Sequence, residues 1–256
     1  MRSRPKVKVY LSPRVVAPGG RLVAEAVLTA KSETPVDFVA ISLGCDVVTV
    51  VGSGNQRASN RVSMYAREWR SPSFVMQPGE HRHRVAFDIP ESAPPGYDGN
   101  DGHVRWLLRV HVSIPWWPDR DASFVVPVAF AERPPPSLRP AVVATSREGP
   151  RGKDPFLEVA LETTQIGVGE VLSGSVSLGN LRGRKVRGVD VAFVEVERIT
   201  LPAEQVREAR RYTLRIHEGA PAEGEVVPFR VRVPDSATPT FYGGPLQLST
   251  HVEVKA

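Results

Sequence analysis

The sequence predicts an all-β protein: two tandem, immunoglobulin-like antiparallel β-sandwiches joined by a Pro-rich linker. Three observations predict it: a period-two alternation of apolar residues, frequent chain breakers, and one long pattern that occurs twice. In "VAISLGCDV" the residues Val39, Ile41, Leu43, Cys45 and Val47 fall on one face. In "HVRWLLRVHVS" the apolar face is Val104, Trp106, Leu108, Val110 and Val112, and the other face carries His103, Arg105, Leu107, Arg109, His111 and Ser113. One buried and one wet face is the antiparallel pattern. The 24 prolines and 21 glycines are scattered between short apolar runs, as strands and turns require. No long amphipathic helix is visible. "AEQVREARRY" reads either as a short helix or as a polar loop and strand edge.

The repeat sets the domain organisation. "IPESAPPGYDG" from Ile89 and "VPDSATPTFYGG" from Val233 align position by position. Val85, Phe87 and Ile89 meet Phe229, Val231 and Val233; Pro95 meets Pro239, Tyr97 meets Phe241, and Gly99 meets Gly243. Upstream, "VYLSPRVVAPGGRLVAEAVL" from Val9 matches "VALETTQIGVGEVLSGSVSL" from Val159, with Gly19 opposite Gly169 and Leu22 opposite Leu172. Downstream, Val104, Trp106, Val110 and Val112 fall opposite Leu246, Leu248, Val252 and Val254. The offset drifts along the chain, which places the length changes in loops while the strands stay collinear. A repeat this long is a duplicated domain.

The expected boundaries are residues 1–130 for the first sandwich, 131–155 for the linker and 156–256 for the second sandwich. The linker, "AERPPPSLRPAVVATSREGPRGKDP", is rich in proline and reads as extended, semi-rigid chain. After Val112 the first domain runs on through "SIPWWPDRDASFVVPVAF", with a last strand expected over Ser123–Phe130. The second domain has no equivalent of that strand, because Ala256 falls opposite Ile114. Either the sequence stops short or the second sheet keeps an open edge that invites strand addition from another chain.

Composition narrows the function. Hydrophobic residues make up 41% and charged residues 24%, enough apolar material for a core and too little charge for disorder. Formal net charge is +5, and only six of the 33 basic residues are lysine. Arginine presents a planar fork suited to carboxylate and phosphate, so acidic partners are indicated. The lone Cys45 supports neither an internal disulfide nor a cysteine zinc site. "MRSRPKVKVYL" is basic with no apolar run after it, and no apolar run is long enough to span a bilayer, so a cytoplasmic protein is expected.

Chemistry-bearing motifs are sparse. "HRH" puts His81 and His83 on one strand face, but two imidazoles do not make a metal site. "YDGNDG", Tyr97–Gly102, lacks the spacing and closing glutamate of a calcium loop and reads as a turn. "VVGSGNQRAS", Val50–Ser59, holds no phosphate-cradling fingerprint. No G-x-S-x-G elbow is present, and Cys45 has no activating base beside it. No catalytic residue, metal ligand or cofactor is therefore assigned. Nucleic-acid binding is not expected, since no basic stripe is interleaved with stacking aromatics.

The run "FDIPESAPPGYDGNDGHVRWLLRVHVSIPWWPDRDASFVVPV" resembles the arrestin superfamily: a strand ending in Pro, a Pro-rich loop, an aromatic-bearing strand, then a Pro-Trp hairpin into a last strand. "FRVRVPDSATPTFYGG" is similar to the matching segment of the C-terminal arrestin domain, and "KVKVYLSPRVVAPGGRLVAEAVL" fits the family's first strands. The bacterial sporulation-control type is the nearer likeness, since no PPxY motif is present. The resemblance implies two arrestin-like sandwiches and a binding role, as adaptor or scaffold for other proteins, with no catalysis.

It also implies that the strands carrying Lys6, Lys8, Arg105 and Arg109 are neighbours. One wet sheet face would then be positive and suited to an acidic or phosphorylated segment. Trp116 and Trp117, in the Pro115–Pro118 hairpin, are the other partner-binding candidates, as anchors for a protein or a membrane interface. The alternative function is a membrane-peripheral protein that binds anionic lipid through the basic face and these tryptophans.

Overall fold

The computed structural model describes residues 4–52, 56–115, 118–131, 139–145, 154–181 and 183–256. Every regular element among them is a strand. The chain clusters into two compact units. The first comprises Met1–Glu132 with Arg198–Gln205 and Phe241–Gln247; the second comprises Arg133–Glu197, Val206–Thr240 and Leu248–Ala256.

The first sandwich contains β1 (Lys6–Ser12), β2 (Arg21–Ala30), β3 (Thr34–Val36), β4 (Phe38–Val51), β5 (Ala58–Arg70), β6 (Phe74–Met76), β7 (Gly79–Asp88), β8 (Tyr97–Asp98), β9 (Gly102–Ser113) and β10 (Arg120–Val125). One sheet has the order β1-β2-β7 and the other β10-β9-β4-β5, with β8 also paired to β9 and a small β3-β6 ribbon beside them. The core takes alternate residues from both sheets: Leu22, Ala24, Ala26 and Leu28 from β2; Ile41, Leu43, Cys45 and Val47 from β4; Trp106, Leu108, Val110 and Val112 from β9. Each large apolar side chain so buried contributes about 1.5–3 kcal/mol. A one-residue slip would expose a whole row, which locks the register. Trp106 keeps its polar end satisfied, its indole N–H donating to the Pro94 carbonyl at 2.9 Å. Burial, with the nearby Asp46 charge adding to it, pushes the Cys45 thiol up to about 12 and leaves it inert.

The second sandwich contains β11 (Ala141–Ala144), β12 (Phe156–Leu161), β13 (Val171–Gly179), β14 (Gly188–Ile199), β15 (Gln205–Glu218), β16 (Val226–Arg232), β17 (Phe241–Gly243) and β18 (Leu246–Lys255). Its sheets run β11-β12-β13-β16 and β15-β14-β18-β17. Val159, Leu172, Val176, Leu178, Val191, Phe193, Phe229 and Val231 form the core between them.

The duplicated phrase makes the same hydrogen bonds in both copies. Ala93 N–H donates to Pro90 O at 3.0 Å, and Ala237 N–H to Pro234 O at 2.9 Å. Ile89 N–H donates to Gly20 O at 2.8 Å, and Val233 N–H to Glu170 O at 2.9 Å. Gly19 and Gly169 open the equivalent turns at φ of 75° and 78°, a conformation that costs glycine nothing and other residues a Cβ clash. Three features differ from expectation. The span expected to be linker contributes β11, which pairs with β12 through Val143 and Val159. Of the two readings of "AEQVREARRY", the helix is the one that fails: most of the segment is strand, in β15, which lies at the edge of its sheet beside β14. The first sandwich's last strand starts earlier, at Arg120, and ends at Val125.

Candidate functional site

The two outer faces of the first sandwich carry the charged side chains predicted from the sequence. On β1, Lys6, Lys8 and Tyr10 alternate outward with half-buried Val7, Val9 and Leu11. Cross-strand pairing extends this row. Lys8 lies opposite Val27, which lies opposite Arg82; Tyr10 lies opposite Glu25, which lies opposite Arg84. Arg82 is committed to carboxylates, donating to Glu80 at 3.0 Å and to Glu25 at 3.4 Å. Lys6, Lys8 and Arg84 are exposed, and none has an ion-pair partner among the described residues. β1 is also the outermost strand of its sheet, so one of its backbone edges is unpaired among the described residues. Unpaired cations beside a free strand edge can hold an extended anionic chain through main-chain and charge-assisted hydrogen bonds together.

Arg105 and Arg109 do not join this face. They lie on β9, in the other sheet, so the single basic face expected from neighbouring strands is corrected: β1 pairs with β2 and β9 pairs with β4, β8 and β10. The physical reason is that both strands show the same alternation, and alternation fixes which side chains point out without fixing which sheet a strand joins. Both arginines are also occupied. Arg109 approaches Asp46 at 3.6 Å, where Arg61 is bonded as well. Arg105 lies 3.9 Å from Asp98, which also bonds His103. His111 completes this face, its Nδ1 at 2.7 Å from Asp121 and its Nε2 at 3.6 Å from Asp119. Its ring packs on Phe38, over which Arg70 stacks at 4.0 Å.

Trp116 and Trp117 lie outside the described residues, as do Ser53–Asn55 of the glycine-bearing loop. His81 and His83 do share one face of β7, the inward one, packed against Phe74 and, for His83, Trp69. Burial lowers the His83 pKa, and the neighbouring His81 lowers it further. Among the described residues no group of three or more His, Cys, Asp or Glu side chains is arranged to hold a metal ion. Among the described residues no helix is long and apolar enough to cross a membrane.

Sequence reasoning missed Tyr10 and Arg84. Their signal was present: Tyr10 continues the Lys6, Lys8 alternation, and Arg84 is the outward partner of the inward-facing histidines in "HRHR". What the sequence withheld was the pairing of both strands with β2.

The family model for the arrestin (or S-antigen) N-terminal domain matches residues 13–130. Among solved structures, the sporulation control protein Spo0M from Bacillus subtilis is similar at 14% identity, over 82% of this chain and 91% of that chain, with a TM-score of 0.41. No curated protein matches.

Proposed function

We propose, from the match of residues 13–130 to the arrestin N-terminal domain, that the chain is an arrestin-like adaptor that binds an acidic, extended segment of another protein along β1. Arrestin-like proteins are in general binding proteins rather than enzymes. One observation carries the finer reading: among the described residues Lys6, Lys8 and Arg84 are exposed and unpaired, on the sheet whose β1 edge is free. The incoming chain adds as a further strand. Its outward side chains then fall beside Lys6 and Lys8, which are spaced at i and i+2, so carboxylates or phosphates at alternate positions fit them. Tyr10, 56% exposed, supplies an adjacent apolar surface with a polar tip.

The test is a fluorescence titration of the full chain with an eight-residue peptide carrying phosphoserine at alternate positions. Saturable binding that is lost in the Lys6→Glu/Lys8→Glu variant supports the reading. Binding that survives the double reversal removes β1 as the site. Flotation of the protein with anionic vesicles, with no peptide binding, would replace a protein partner by a lipid surface.

A further inference from the structure

The second sandwich carries a groove of about 260 Å³, open between the start of β12, the end of β13 and the segment that leads into β16. Two carboxylates line it, Glu158 from β12 and Glu223 from the β15–β16 loop. Neither has a hydrogen-bond or ion-pair partner among the described residues. Phe156 and Val226 give the groove apolar walls, and Ser177 and Asn180 add a hydroxyl and an amide. The Phe156 ring is buried against the backbone of β13, where a Cβ on Gly179 would stand 2.2 Å from Phe156 Cε1. Asn180 is tied down by its Nδ2, which donates to the Asp154 carbonyl at 3.2 Å. The other charges nearby do not neutralise the two carboxylates. Asp154 and Glu225 add further negative charge beside the lining residues, Glu225 accepting from Ala222 N–H at 2.7 Å. Arg184, Lys185 and Arg187 follow on the β13–β14 loop, and none of them lines the groove. Glu162 and Arg230 are level with Ser173, toward the other end of β13. Arg151, Lys153 and Arg182 lie outside the described residues.

We propose that this groove binds an alkylammonium group: a positive –NH₃⁺ head on a short methylene stem. The head carries three N–H donors and no acceptor, and Glu158, Glu223 and the Ser177 hydroxyl supply acceptors for them. The stem lies along Phe156 and Val226, as lysine stems lie on apolar surface while their heads stay polar. An aromatic wall beside the head adds its own attraction for a cation. A metal ion is the poorer fit. Calcium takes about 6–8 oxygen ligands, and among the described residues no group of three or more His, Cys, Asp or Glu side chains is arranged for a metal. Size limits the ligand to one such group, because the groove is smaller than the roughly 300–1,000 Å³ of pockets that enclose larger molecules. Glu223 is exposed, so one group binds weakly. A lysine of another protein and a free aliphatic amine present the same chemistry.

Amide chemical shifts of the full chain, titrated with butylammonium chloride against sodium chloride at equal ionic strength, test this. Saturable shifts confined to Ser177–Asn180 and Glu223–Val226 are expected. Butanol, which has the stem without the charge, produces none. Glu158→Gln with Glu223→Gln weakens butylammonium binding by about tenfold or more, and circular dichroism checks that the variant folds. Gly179→Ala, which keeps both carboxylates but displaces the Phe156 ring, weakens it too. A pentapeptide with one central lysine separates the sources: binding at least as tight as butylammonium assigns the group to a protein, and no peptide binding beside a bound free amine assigns it to a small molecule. Shifts spread over the whole chain, equal shifts with butanol, or a double variant that binds as the wild type does would each overturn the proposal. So would binding that appears only in Lys153→Ala, because the groove would then hold the chain's own lysine.

Discussion

The two outer faces of the first sandwich both display basic residues, and they hold them in different states. On the β10-β9-β4-β5 sheet, Arg61 and Arg109 converge on Asp46, whose side chain is only 12% exposed, and Arg105 leans on Asp98. On the β1-β2-β7 sheet, Lys6, Lys8 and Arg84 face solvent without partners among the described residues. A cation already paired with a carboxylate has part of its electrostatic attraction satisfied, and an incoming anion must compete for it. An unpaired cation keeps all of it. Counting charges cannot separate the two faces; their pairing does. The first face holds structure together, and the second is available to a partner.

The largest effect should come from reversing charge on one face at a time. Lys6→Glu/Lys8→Glu abolishes binding of the alternating phosphopeptide, a loss of two charge-assisted hydrogen bonds worth about 1.5–3 kcal/mol each, while thermal stability stays near the wild-type value. Arg105→Glu/Arg109→Glu does the reverse: peptide affinity changes by less than about threefold, and the melting temperature falls. Calorimetry and peptide titration on the same samples read both quantities. If the Arg105/Arg109 variant lost the peptide equally, the distinction between the faces would be gone.

Next in size is Asp46→Asn. It removes the anion that two arginines share and costs about 1.5–3 kcal/mol, read by urea unfolding. Lys8→Ala, on the open face, shifts the same curve by less than about 0.5 kcal/mol. Salt sharpens the contrast further. Raising ionic strength from 0.01 M to 1 M shortens the screening length from about 30 Å to about 3 Å. Peptide affinity should fall steeply over that range, whereas the unfolding midpoint moves little, because Asp46 is mostly shielded from solvent.

The smallest effect lies beneath the open face. His83 is on the inward side of β7, and its pKa in the folded protein is below the ordinary 6.5. The unfolded chain therefore takes up this proton more readily than the folded one. Stability is fully present above about pH 6.5 and declines as pH drops below that value. His83→Gln flattens this decline, measured by unfolding midpoints between pH 5 and about 8. A decline of the same slope in the variant would assign it to other groups.

Much of the architecture was legible in the sequence, because period-two burial and the duplicated turn are local signals. The Ile89–Gly99 and Val233–Gly244 phrases fold with matching hydrogen bonds, and the apolar rows of β4 and β9 are the buried ones. Sheet membership was not legible. Lys8 and Arg109 alternate with apolar neighbours in the same way, and only long-range pairing sends them to different sheets. Nor did the linker composition show that Ala141–Ala144 pairs with β12: the four residues are short, uncharged and follow a proline, and their strand character comes from the edge they meet. The second copy also carries a difference that the alignment posed and the structure gives a form. Val110 and Val112 are 1% and 0% exposed under β10 and the chain that follows it, whereas Val252 and Val254, on a strand without that neighbour among the described residues, are half-buried.

The central claim is that an acidic chain adds to the β1 edge, and amide hydrogen exchange tests it most directly. Exchange is followed across the full chain with and without a saturating alternating phosphopeptide. The account predicts new protection at alternate amides within Lys6–Ser12 and none in β9 or β10. Protection in Gly102–Val125 instead, with β1 amides exchanging as before, would contradict it.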